Sequence, residues 1–251
     1  MRKKILITGA TSGFGKAMAY RFAKDGWNVV ITGRRADRLN AISDDLVKTY
    51  KVEVGVKVFD VQNRSEVFQA LSDDPDLSDV DVLVNNAGLA LGRDYFDEAD
   101  LDDWETMIDT NLKGLLYVSK AILPYFIKRG KGHIINIGST AGKEVYEKGN
   151  VYCATKTSVE AISQAMRIDM LRHHIKVTAI HPGAAETEFS IVRFKGDEAT
   201  AKTVYDGYQP LKAEDVADTA FYCANLPEHV CINSLIMTCT SQANSFYLLR
   251  K

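Results

Sequence analysis

Tyr152 and Lys156 lie four residues apart in a stretch with helical patterning, so a phenol and an ammonium share one helix face. A nearby positive charge favours the phenolate and brings a tyrosine below its usual value of about 10. Such a phenol can take or give a proton near neutral pH. Thirteen residues upstream, Ser139 follows the apolar run His133–Ile137 and Gly138. A hydroxyl at the carboxyl end of a strand can orient a substrate oxygen beside that phenol. Tyr-x3-Lys alone is common on exposed helices, so its chemistry depends on what lies around it.

A second group of residues suits a phosphate. Directly after the run Ile5–Thr8 comes Gly9-Ala10-Thr11-Ser12-Gly13-Phe14-Gly15, which opens into a helix near Lys16. Glycines at a strand-to-helix turn let a pyrophosphate approach the unpaired N–H groups of the helix. The spacing is Gly-x3-Gly-x-Gly, not the common Gly-x-Gly-x2-Gly, so its position between strand and helix carries the argument. About twenty residues further on, a dinucleotide domain sets an acid on the adenosine ribose or an arginine on its 2′-phosphate. Here Ile31-Thr32-Gly33-Arg34-Arg35 has no acid before Asp37. A guanidinium meets a phosphate with two charge-assisted hydrogen bonds, which favours NADP over NAD. Two arginines at a helix start oppose the helix dipole, and a bound phosphate accounts for them. Asp60-Val61 falls where an adenine edge should lie, and Asn85-Asn86-Ala87-Gly88 is a small, polar strand end.

These residues need elements to hold them. Short β-branched runs alternate with amphipathic stretches, the pattern of βαβ units and a parallel sheet. Strands are expected at Ile5–Thr8, Asn28–Thr32, Val54–Phe59, Val82–Asn85, His133–Ile137, Lys176–Ile180 and Ser234–Cys239. Most are apolar throughout, which implies helices on both faces of the sheet. The expected fold is therefore α/β, a single-domain doubly wound Rossmann-type sheet over residues 1–251. A long helix from Asp102 to Tyr125 carries Trp104, Ile108, Leu112, Leu115, Val118 and Ile122 at steps of three and four. Pro124 marks its end or a kink. A second, Val151 to His173, has a small apolar face of Ala154, Ala161, Ile162, Ala165 and Ile168. Residues 183–210 contain no clear strand and are too long for an idle connection. They read as a lid, since loops leaving the carboxyl edge of such a sheet line its crevice.

Composition narrows the function. The 251 residues are 46% hydrophobic and 25% charged, with 31 basic against 33 acidic side chains. That balance gives no basic face for nucleic acid, and Arg34, Arg35 and Arg38 do not make one. The start, Met1 to Thr8, is too short an apolar run for a signal peptide or a membrane span, so a cytoplasmic protein is expected. Cys153, Cys223, Cys231 and Cys239 show no CxxC pair and no metal-ligand spacing, so reduced thiols and no metal are expected. The acidic run Asp94, Asp97, Glu98, Asp100, Asp102, Asp103 reads as a solvated surface. His181 reads as structural, because Tyr152 already serves as base. Arg193 and Lys195 on the lid are candidates to meet a substrate carboxylate. The tail 241–251, with Phe246, Tyr247, Leu248 and Leu249, is apolar enough to dock on a neighbour.

Together these motifs resemble the short-chain dehydrogenase/reductase family over almost the whole chain. The resemblance covers the glycine-rich segment Thr8 to Gly15, Asn-Asn-Ala-Gly at Asn85 to Gly88, and Tyr-x3-Lys at Tyr152 to Lys156. It implies catalytic roles for Ser139, Tyr152, Lys156 and Asn111. It also implies cofactor contacts from Gly9, Thr11, Ser12, Gly13, Phe14, Gly15, Asn86, Ala87, Gly88, Tyr152 and Lys156. Pro182-Gly183 matches the segment after the sixth strand, with Thr187 in the place that contacts the nicotinamide amide. Lys156 would hold the nicotinamide ribose, and Asn111 would anchor a water that relays the proton. A narrower likeness joins Gly88–Gly92, Asp103–Asn111, Gly132–Gly142, Thr187–Ser190 and Val192–Asp197 to NADP-dependent 3-hydroxy acid dehydrogenases, also called serine 3-dehydrogenases. It implies oxidation of serine, allo-threonine or similar 3-hydroxy acids, and a homotetramer. One departure is Ala184-Ala185-Glu186, where those enzymes carry a longer glycine-rich turn. Two alternatives stand beside this reading: a reductase of another carbonyl class, and a non-catalytic NADP-binding regulator, which would not need all four catalytic residues.

Overall fold

The computed structural model describes residues 2–251. Seven strands form one parallel sheet: β1 Lys4–Ile7, β2 Asn28–Gly33, β3 Val54–Val58, β4 Val82–Asn85, β5 Gly132–Ile137, β6 Ile175–Pro182 and β7 Ser234–Met237. All seven expected strands are present, within two residues at each end. Their order is β3-β2-β1-β4-β5-β6-β7, so the winding reverses between β1 and β4. In such sheets the ligand crevice lies outside the carboxyl ends of the strands at that reversal.

Side-chain alternation explains the two helical layers. On β1, Ile5 and Ile7 face one core and Leu6 the other; Val82 and Val84 against Leu83 repeat this on β4. The first core takes Met18 and Phe22 of α1 (Gly13–Lys24), Leu39 and Leu46 of α2 (Ala36–Tyr50) and Ala217 of α9 (Ala213–Ala224). The second takes Leu71 of α3 (Arg64–Leu71) and Val118 and Phe126 of α5 (Leu115–Arg129). Each central strand is buried at all but at most one residue, while β3 and β7 at the sheet edges are half exposed. All four cysteines are unpaired.

The first long helix differs from its expected form. It begins at Leu101, capped by Asp100, whose side chain accepts from Asp102 N–H. After α4 (Leu101–Ile108) it passes through a π-turn, Asp109–Gly114, and continues as α5 past Pro124 to Arg129. Pro124 therefore lies inside the helix. Gly130, at φ +64, ends it. The second long helix is α6, Asn150–Met170, followed by a 3-10 turn to His173. Its buried face is Tyr152, Cys153, Thr155, Lys156, Val159 and Ser163. The small apolar face that includes Ala154, Ala161 and Ile168 points to solvent. The segment 183–210, expected as a lid, is helical in part: α7 (Phe189–Arg193) and α8 (Glu198–Thr203).

Candidate active site

The carboxyl edge at the reversal opens into a cavity of about 810 Å³. At one end the turn after β1 is bent tightly against the β4 end. Gly9 (φ +65) has no room for a side chain, since a Cβ would sit 2.9 Å from Ala87 Cα. Gly13, at φ +52, faces Thr187 across the opening. Gly15, expected as a cofactor contact, does not line the cavity. A Cβ there would lie 2.4 Å from Gly9 O, so this glycine serves close packing beneath the turn. The other expected cofactor residues line the wall: Thr11, Ser12, Phe14, Arg34, Arg35, Asp60, Val61, Asn86, Ala87, Gly88, Pro182, Gly183 and Thr187.

Arg35 donates from Nε and Nη2 to Thr11 Oγ1 (3.0 and 2.5 Å), and from Nη2 to Ser12 Oγ (3.0 Å). Its Nη1 reaches Glu188 of the lid at 3.2 Å, and Arg38 Nη1 grips the same carboxylate at 2.9 and 3.0 Å. Burial is the largest single influence on Glu188 and raises it, but the two guanidiniums together outweigh it and hold the carboxyl below its usual value. Arg34 faces Asp60 at 3.4 Å. Three arginines thus gather beside the glycine turn, a donor set suited to a phosphate. Glu188 and Arg38 were not legible as site residues; the ion pair spans 150 residues of chain and exists only once the lid folds back.

At the other end, α6 presents Tyr152 and Lys156, both buried. Lys156 Nζ donates to Ile137 O at 3.0 Å and lies 6.0 Å from the Tyr152 ring centre. Burial pushes the ammonium down to about 8. It also raises the Tyr152 phenol, with Tyr146 adding to the rise, while a hydrogen bond with Ser139 and the charge of Arg193 pull the other way. The expected depression by Lys156 is therefore absent in the chain alone, because desolvation penalises the charged form of both groups. Ser139 also accepts from Ala141 N–H at Oγ, 3.1 Å, which caps the turn after β5.

Asn111 occupies the π-turn. Its Oδ1 accepts from Leu89 N–H at 2.8 Å, and its Nδ2 donates to Leu89 O at 2.8 Å and to Thr155 Oγ1 at 3.1 Å. A Cβ on Gly88 would sit 3.1 Å from Asn111 Oδ1 and 3.3 Å from Lys156 Nζ. Asn111 is therefore behind the wall, within one residue of the lysine, and not on the cavity surface.

Residues of α7 line the cavity at this end. Arg193 of α7 holds Gly92 O through Nε (3.3 Å) and Tyr146 Oη through Nη1 (3.1 Å). Its guanidinium lies 5.6 Å from the Tyr152 ring centre. Lys195 turns away and pairs with Asp103 at 2.9 Å, which also makes Asp103 buried instead of solvated. The tail folds onto its own chain: Ala184 N–H donates to Gln242 Oε1 (2.8 Å) and Lys251 N–H to Gly207 O (2.8 Å). Gln242, Ser245, Phe246, Leu248 and Arg250 line the cavity. Tyr146, Phe189 and Gln242 escaped the sequence reading, since no spacing ties them to the Tyr-x3-Lys motif.

Residues 3–197 match the family model described as short chain dehydrogenase. The chain is 46% identical over 241 residues to an NADP-dependent 3-hydroxy acid dehydrogenase of Salmonella typhi, covering 95% of this chain and 96% of that one. It is 45% identical over 245 residues to sulfoacetaldehyde reductase 2 of Chromohalobacter salexigens, covering 97% and 96%. Among solved structures, the closed form of a serine dehydrogenase complexed with NADP+ superposes with a TM-score of 0.92 at 43% identity, covering 99% of both chains.

Proposed function

The chain belongs to the short-chain dehydrogenase family, and from that premise we propose that it moves a hydride between NADP and the 3-hydroxyl carbon of a small 3-hydroxy acid. Serine, allo-threonine and 3-hydroxypropionate are the class meant. The glycine turn, with no space for side chains at Gly9, and the arginines beside it fit a dinucleotide carrying a 2′-phosphate. Arg34 and Arg35 would hold that phosphate, Thr11 to Phe14 the pyrophosphate, Asp60 and Val61 the adenine edge, and Thr187 the nicotinamide amide. Bound NADP supplies the hydride-accepting ring and a positive charge beside the phenol.

The chain's own residues then divide the work. Tyr152 takes the proton of the substrate hydroxyl. Ser139 donates to the same oxygen and steadies the charge that develops there; a donor in that role is worth about 10²–10³ in kcat. Lys156 holds the nicotinamide ribose. Asn111 fixes the Leu89 backbone and belongs to the path by which the proton leaves.

The observation that carries the substrate class is Arg193. Its guanidinium lies 5.6 Å from the ring of the base, and Tyr146 orients it. A cation so near the ring of the base suits a substrate whose anion is a few bonds from its hydroxyl. A sulfonate has the same charge, which gives a second reading as a reductase of a sulfonated aldehyde. Initial rates of NADPH formation on L-serine, L-allo-threonine and 3-hydroxypropionate, beside sulfoacetaldehyde reduction, test the two. Turnover of the hydroxy acids with NADP and not NAD is expected; activity only on the sulfonate overturns the first reading. The protein is further proposed to act in the cytoplasm and as a homotetramer; the outward apolar face of α6, where Ile168 is 75% exposed, supports association with further copies.

A further inference from the structure

We propose that His181 and Glu160 form a positioning pair that fixes the turn carrying Ser139, and so sets the direction of the Ser139 hydroxyl. The inference rests on the reading of Ser139 as the group that meets the substrate oxygen.

His181, the last residue but one of β6, has no exposed surface. Its Nε2 lies 2.7 Å from Glu160 Oε2 on α6. Its Nδ1 lies 3.3 Å from Ser139 N and 3.2 Å from Ser139 O. A carboxylate can only accept, so Nε2 carries the proton. Nδ1 is then an acceptor, and the Ser139 N–H is its donor. The carboxylate thus fixes the tautomer, and the tautomer fixes the backbone of the serine.

The other end of the same turn meets the same carboxylate. After Ser139 the chain makes the 3-10 turn Thr140–Gly142 and reaches Lys143, whose Nζ is 3.1 Å from Glu160 Oε2. Glu160 therefore holds the five-residue segment at its start through His181 and at its finish through Lys143. Two glycines let this happen: a Cβ on Gly138 would lie 2.3 Å from His181 Nδ1, and one on Gly142 would lie 2.5 Å from Lys156 O. The turn is pressed between the imidazole and the helix that bears Tyr152. An apolar pair could fill this space without the cost of burying charge. What the polar pair adds is direction, and a misplacement of about 1 Å at a reacting group can cost about 10²-fold in rate.

The test is a double-mutant cycle. His181→Leu and Glu160→Leu are each made in the wild-type chain and in Ser139→Ala. kcat and KM are measured with whichever substrate the enzyme turns over, and the NADP dissociation constant by calorimetry. A fall in kcat of tenfold or more is expected with Ser139 present, with NADP affinity within twofold of wild type. In Ser139→Ala the same changes are expected to cost under twofold. Should His181→Leu fail to fold, Glu160→Leu, next to solvent beside Lys143, carries the cycle. Equal losses in both backgrounds overturn the pair as a positioning device for Ser139, as does unchanged kcat. If Ser139→Ala alone leaves kcat unchanged, the reading of Ser139 fails first and the pair's role falls with it.

Discussion

Burial governs Tyr152 and Lys156 before any ligand arrives. Each side chain is out of water, and each is driven toward its neutral form. A neutral phenol is the form that gives a proton when a carbonyl is reduced. Oxidation needs the opposite, which the positive charge of oxidised NADP favours. Replacing Tyr152 with Phe removes the proposed proton-transfer group and leaves the cavity shape. Turnover should fall at least about 10²-fold, the lower range for general acid–base catalysis, while NADP affinity measured by calorimetry stays within twofold. Arg35→Ala should weaken NADP binding tenfold or more and leave NAD binding unchanged, because only the 2′-phosphate distinguishes the two; equal losses in a paired titration would count against a phosphate role. The pairing of Tyr152 with Lys156 was readable from spacing. Their shared desolvation was not, because it depends on how deeply the folded chain buries both side chains.

Among the elements, the long helix shows what a period of three and four can conceal. The π-turn at Asp109–Gly114 adds one residue to a single turn and leaves the apolar rhythm intact on either side. Asn111 sits in that turn, so its contact with Leu89 could not be read from helix geometry. Pro124 is tolerated inside α5 at an exposed position, which a rule on helix breakers does not foresee. The junction of β6 and α6 offers a pH test. Burial raises Glu160, yet hydrogen bonds from Gln164, Lys143 and His181 prevail and hold it at about 2 against a usual 4.5. A carboxyl lowered by folding adds stability above its unfolded value, and that stability is lost as pH falls toward the folded one. Wild type should therefore exceed Glu160→Gln in urea midpoint at pH 7, with the gap closing between about 4.5 and about 2. A constant gap across that window would contradict the assignment.

For the whole molecule, the strand order follows from repeated right-handed βαβ units, and the crevice follows from the reversal between β1 and β4. That much was present in the alternation of apolar runs with amphipathic stretches. The tail was less legible, since composition shows it apolar without saying what it covers. It hydrogen-bonds Ala184 and Gly207, near the two ends of the lid. Deleting 241–251 should lower kcat/KM tenfold or more and leave the mass measured by light scattering unchanged. A smaller assembly would show instead that the tail joins subunits. On the proposed reading, the cation of Arg193 selects an acid beside the base. The most direct measurement is kcat/KM with NADP for 3-hydroxypropionate and for 1-propanol, in wild type and Arg193→Ala. The wild type is expected to prefer the acid at least about a hundredfold, in line with a charge-assisted hydrogen bond of up to about 3 kcal/mol, and the preference is expected to collapse to a few-fold in the variant. A preference that is absent in wild type, or that survives Arg193→Ala intact, would contradict that reading.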